Sequence, residues 1–173
     1  MNKKHMLFVS RISIFISILV AVQQFTYKFR NFLLTGSLVN FILVMSFLTS
    51  GLLVAEIVGA CSPFLAKIFG MGPNFIVLPF ISLGNIIFIY LVNLSKKFNL
   101  SKKLIKIIFF CVLCSLAKAG FFYFFIIKAF VPLFVKVLPK ESKMISSMFS
   151  FNQLITALIG SLLAFLVSER LKK

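Results

Sequence analysis

Long apolar runs separated by short polar breaks set the pattern of this chain. Five of the runs approach the ~20 residues a helix needs to cross about 30 Å of hydrocarbon, and a sixth is shorter. The spacing predicts helical spans over Met6–Phe25, Ser37–Val54, Ile57–Phe69, Phe75–Leu94, Leu104–Ile127 and Phe149–Ser168. A weak break at Gly51 and Glu56 parts the second span from the third, and Gly70-Met71-Gly72-Pro73-Asn74 is a strong turn signal. Pro79 and Gly84 inside the fourth span imply a kink. A polar loop covers Ser95–Lys103, and a longer one with Pro132 and Pro139 covers Lys128–Met148. No repeat or linker divides the sequence. The expectation is an all-α integral membrane protein: one six-transmembrane-helix bundle over residues 1–173 with both termini cytoplasmic.

Composition supports the membrane reading. The hydrophobic fraction is 61% and the mean hydropathy +1.10, against about 45–50% apolar residues in soluble chains. A net charge of +16 would point to nucleic acid in a soluble protein. Here the basic residues sit between apolar blocks, where they set topology and meet anionic lipid, so no nucleic acid is expected. With six spans and the N-terminus inside, eleven basic residues fall on the cytoplasmic side and six outside. Merging residues 37–69 into one span reverses that bias. The basic N-terminus precedes a long apolar stretch without an evident small-residue cleavage site, which predicts a retained first helix. Abundant Phe, Ile, Lys and Asn resemble the output of an AT-rich bacterial genome, so the expected location is a bacterial cytoplasmic membrane.

Chemistry-bearing residues are few. Glu56, Glu141 and Glu169 are the only acids, His5 is the only histidine, and Asp and Trp are absent. Without a G-x-x-x-x-G-K-[ST] loop the chain is not expected to hydrolyse ATP. Without paired carboxylates or an H-E-x-x-H pattern, no hydrolase, lipid transferase or metal site is expected, and no cofactor. Cys111 and Cys114 share a helix face as small packing residues. Lys118 lies about ten residues, ~15 Å, from the outer end of the fifth span. A cation at that depth should face the bundle interior or a wet cavity, and it contacts a substrate, pairs with Glu56 or snorkels. Asn40, Asn74, Asn85, Asn152 and Gln153, with Tyr123 from the Phe121–Phe125 run, are the further candidates for an outward-facing pocket. The amides serve equally as links between helices. Ser13, Ser17 and Ala21 put small residues four apart on one side of the first helix, where another backbone can approach.

In order along the chain, several segments resemble the substrate-binding S components of energy-coupling factor (ECF) vitamin transporters. They are the Ser13, Ser17, Ala21 ladder; Leu34-Thr35-Gly36-Ser37-Leu38-Val39-Asn40; Gly59-Ala60-Cys61-Ser62-Pro63-Phe64-Leu65-Ala66; Leu78-Pro79-Phe80-Ile81-Ser82-Leu83-Gly84-Asn85; Ala117-Lys118-Ala119; and Gln153-Leu154-Ile155-Thr156-Ala157-Leu158-Ile159-Gly160. The resemblance implies a high-affinity membrane receptor for a vitamin or micronutrient. Its motor would be separate: a transmembrane coupling subunit and two ATPases. It also implies that Ser13, Ser17 and Ala21 dock onto the coupling subunit, in the place of an Ala-x-x-x-Ala motif. The pocket would lie near the external face, with Lys128–Met148 as part of a lid. Absence of Trp argues against the aromatic clamp of the thiamine-binding relatives. Two other readings stay open at this point: a self-sufficient small transporter or channel, and a structural membrane protein with no ligand.

Overall fold

The computed structural model describes residues 3–29, 31–95, 103–134 and 139–171. All of the regular structure among them is helical. In chain order the helices are α1 (Lys3–Tyr27), α2 (Phe32–Ser50), α3 (Leu52–Ile68), α4 (Leu78–Ser95), α5 (Lys103–Phe122), α6 (Val131–Phe134), α7 (Pro139–Phe149) and α8 (Phe151–Leu171). A single 3-10 turn, Phe75–Val77, leads into α4, and an eight-residue π-helical stretch, Tyr123–Phe130, joins α5 to α6 without a break. Five of the continuous helical segments are long and apolar enough to cross a membrane: α1, α2, the turn with α4, the α5–α6 rod and α8. The chain is therefore built as a multi-pass membrane protein.

Several boundaries move relative to the sequence pattern. The second helix starts at Phe32 rather than Ser37, because Asn31 Oδ1 accepts from the amides of Leu33 and Leu34 and caps it there. It ends at Gly51, whose φ of +94° suits glycine and lets α3 begin at once with Leu52. Pro79 lies at the start of α4 rather than in its interior. It sits in the first turn, where a missing N–H costs nothing. Pro63, by contrast, lies inside α3. Within Lys128–Met148, the described parts (128–134 and 139–148) are helical rather than looped. The lysine-rich segment 96–102 lies outside the described residues.

The helices close into a ring in the order α1, α2, α8, α5, α4, α3, with α2 also leaning inward on α3 and α4. The closest pair is α2 and α8, and the reason is small side chains. A Cβ on Gly160 would lie 2.5 Å from the Ser37 carbonyl oxygen and 2.7 Å from the Phe41 amide nitrogen. Only glycine fits there, and its absence of side chain lets two backbones touch, the main source of helix association in lipid. One half of the bundle, around the α2–α3 turn, is a filled core of Leu43, Val44, Phe47, Val54, Val58, Ile89 and Val92. A second apolar cluster of Val77, Phe122, Ile126, Phe130, Ile145 and Phe149 ties the π stretch and α7 to the other end. Its α5-side members recur every four residues, which puts them on one side of the rod.

Candidate ligand-binding site

The half opposite the filled core is hollow. A cavity of about 530 Å³ is enclosed by the ends of α1, α2, α3, α4, α5 and α8 together with α7 and the turn Met71-Gly72-Pro73. Tyr27, Phe32 and Gly72 stand exposed at its rim, while Asn40, Asn85 and Lys118 lie deep and buried. Most of the remaining lining is apolar: Val39, Pro63, Ala66, Ile81, Phe122, Met148 and Phe149. An apolar cleft of this size with a few convergent polar groups has the usual make-up of a small-molecule site.

The polar floor is assembled from five helices, and its orientation can be traced to one residue. Pro63 has no amide hydrogen, so the carbonyl of Gly59, four residues before it, loses its helical donor. Asn85 from α4 supplies the missing bond: its Nδ2 donates to Gly59 O at 3.1 Å. Nearby, Ser82 Oγ donates to Ala60 O at 2.7 Å. A carbonyl only accepts, so the Asn85 amide is fixed with Oδ1 turned the other way. There it accepts from Lys118 Nζ at 2.8 Å. Asn40 Oδ1 on α2 accepts from the same ammonium at 2.6 Å, and Asn40 Nδ2 donates to Thr156 Oγ1 on α8 at 3.4 Å. The Phe88 and Phe122 rings flank Nζ at 4.8 and 5.7 Å from their centroids, adding cation–π attraction. Lys118 is only 2% exposed, and its partners are these amides and rings rather than Glu56.

Of the residues singled out from sequence, Asn40, Asn85, Lys118 and Gln153 meet on this cavity wall. The others are placed elsewhere. Asn74 accepts from Ile76 N at 3.5 Å as the cap of the 3-10 turn. Asn152 Nδ2 donates to Ser147 O at 2.8 Å and joins α8 to α7. Tyr123 points outward, 42% exposed, with Lys128 Nζ 5.7 Å from its ring. Ser13, Ser17 and Ala21 share the exposed side of α1, opposite the inner stripe Leu19, Gln23 and Thr26. Ser13 Oγ donates to Val9 O, so that serine keeps the face smooth and satisfied. Cys111 and Cys114 are buried free thiols, and no cluster of metal-ligating side chains occurs among the described residues.

Sequence reading missed Gln23, Ser62, Phe122, Met148 and Phe149 as lining residues. Gln23 and Ser62 carried a signal, since polar groups inside apolar spans seek a partner. The Phe and Met residues carried none, because an apolar residue facing a cavity looks like one facing lipid.

No family model matches this chain, and neither the curated proteins nor the solved structures contain a match to it. The functional reading therefore rests on the site.

Proposed function

We propose that this protein is the substrate-binding membrane subunit of an ECF-type importer, taking a vitamin or related micronutrient from outside the cell. In this reading the bundle crosses the membrane six times with both termini in the cytoplasm, and the cavity faces outward. The observation that carries it is a cavity that ends on a hydrogen-bonded lysine above a filled core. A dead-ended pocket binds and holds its ligand. A channel needs a through route, and among the described residues the filled half provides none.

Two further features support the reading. α3 has 17 residues, ~25 Å at 1.5 Å per residue, and packs between α1, α2 and α4. Counting it as a span brings both termini to one face and gives the cytoplasmic excess of basic residues. The exposed Ser13, Ser17, Ala21 face is smooth enough for close approach by the coupling subunit, which would transmit the work of two ATPases. Release of ligand then follows a reorientation of the subunit within that complex.

The test is isolation of the tagged protein from its native membrane in mild detergent. The expected preparation holds a small molecule and brings down a transmembrane partner with two ATPases. A protein that is bare and partnerless overturns the proposal and favours a structural role. Uptake of the bound compound by liposomes containing this chain alone would instead favour a self-sufficient transporter.

A further inference from the structure

Two polar groups on the cavity wall ask for a ligand of particular chemistry. The first is Lys118. Two of its three N–H bonds go to Asn40 and Asn85, which leaves one for the cavity it lines. Among the described residues Lys118 is the only charged one on that lining, so no described carboxylate balances it there. The second is Gln23 on α1. Its Nε2 donates to Ser62 Oγ at 3.5 Å, and its Oε1 has no partner among the described residues although Gln23 is only 7% exposed. α1 packs on α2 and α3, whereas α5 packs on α4 and α8. Gln23 and Lys118 thus face the same space from different walls.

Resting on the receptor reading above, we propose that the cavity takes an organic monocarboxylate whose far end carries an N–H or O–H donor. Charge balance selects the carboxylate. A phosphate monoester brings about −1.5 to −2 at neutral pH, which one ammonium flanked by two amide oxygens cannot match. A neutral carbonyl would fill the free N–H bond and leave the buried charge uncompensated, the costly condition inside a membrane. A single carboxylate meets both demands. The orphaned Gln23 oxygen, an acceptor only, requires a donor at the other end. Between them, the walls of Phe32, Val39, Ile81, Phe122, Met148 and Phe149 suit a flat or apolar body.

The molecule carried through mild-detergent purification from the native membrane is released and identified by mass and fragmentation. The expected compound is a monocarboxylic acid bearing a hydroxyl, amine or amide hydrogen remote from the carboxylate. A neutral or phosphorylated compound overturns this inference and leaves the receptor reading standing. A protein that is empty and brings down no partner overturns both. The identified acid and its methyl ester are then titrated against the wild-type protein, and the ester is expected to bind about 100-fold more weakly. Equal affinity overturns the pairing with Lys118. Asn40→Asp places a carboxylate on the ammonium from within, so it is expected to weaken the acid about 100-fold with an unchanged elution profile and thermal midpoint. A folded variant that still binds tightly overturns the charge-balance assignment. Gln23→Met is expected to cost about tenfold in affinity. No change removes the donor at the far end.

Discussion

Along the bundle axis the molecule changes character at the level of Lys118. Toward Gly51, the facing sides of α2, α3 and α4 interdigitate Phe47, Val54, Val58 and Ile89 into a filled core. Toward the turn at Gly70 the same helices stand apart around about 530 Å³ of space. Both halves use the same apolar residue types, so hydrophobicity does not explain the difference. In lipid, helices are held by close packing and by polar groups finding each other. The filled half relies on the first. The hollow half relies on the second: the Lys118, Asn40, Asn85 and Gly59 bonds span α5, α2, α4 and α3 and hold the floor of the cavity in place. α7 and the π stretch then add a separate apolar cluster around its mouth.

The strongest way to break this division is at the seam common to both halves. Gly160→Leu forces a side chain into the α2 backbone at Ser37 and Phe41, which cannot move aside as a flexible side chain would. The expected loss is about 3 kcal/mol or the folded state itself, read from thermal unfolding and elution in detergent. An unchanged midpoint would mean that α2 and α8 do not cross as described.

A matched pair then separates the halves. Phe47→Ala, in the filled core, is expected to cost about 3 kcal/mol of stability and to leave the affinity of any folded protein for its ligand unchanged. Met148→Ala, on the cavity wall, should cost about 1 kcal/mol because part of its surface already meets open space. Its main effect should be on ligand affinity. If the two variants behave alike, the halves are not distinct.

Pro63→Ala is subtler. It returns an amide hydrogen to the Gly59 carbonyl and so removes the reason for the Asn85 amide to point Oδ1 at Lys118. Stability should stay within about 1 kcal/mol, since a regained helical bond offsets lost fit at the proline. Ligand affinity should fall about tenfold as the ammonium loses a fixed partner. Unchanged affinity would show that Lys118 is held without Asn85.

How much of this was legible beforehand follows from the bilayer itself. The places of the five long apolar helices were, because hydropathy reports them, and so was the turn at Gly70–Asn74. Helix faces were not, except where a polar residue marked them. Asn40, Asn85 and Lys118 could be picked out for that reason, while Phe122 and Phe149 were indistinguishable from lipid-facing neighbours such as Phe124. The π stretch left no trace either, because Tyr123–Phe130 is almost wholly apolar and offers no periodicity to shift. The start of α2 was misplaced because Asn31 reads as loop until its side chain is seen capping Leu33 and Leu34. Pro63 was visible, but its consequence on another helix was not.

The smallest expected effect on the fold lies on a surface belonging to neither half. Ser17 and Ala21 are exposed on α1, whose membrane-crossing window is 6% buried, against 33–44% for the other four. Leucine at either position meets no part of the bundle, so Ser17→Leu and Ala21→Leu should change stability by less than about 0.5 kcal/mol. Ligand affinity should be unchanged too, because the cavity is lined from the opposite side of this helix by Gln23. Energised uptake in cells should nevertheless be lost, since a leucine on this ladder blocks the close backbone approach that small residues permit. Equal loss of binding and uptake would place these residues with the cavity. Full uptake would mean that α1 meets only lipid, and that any coupling subunit docks on another face.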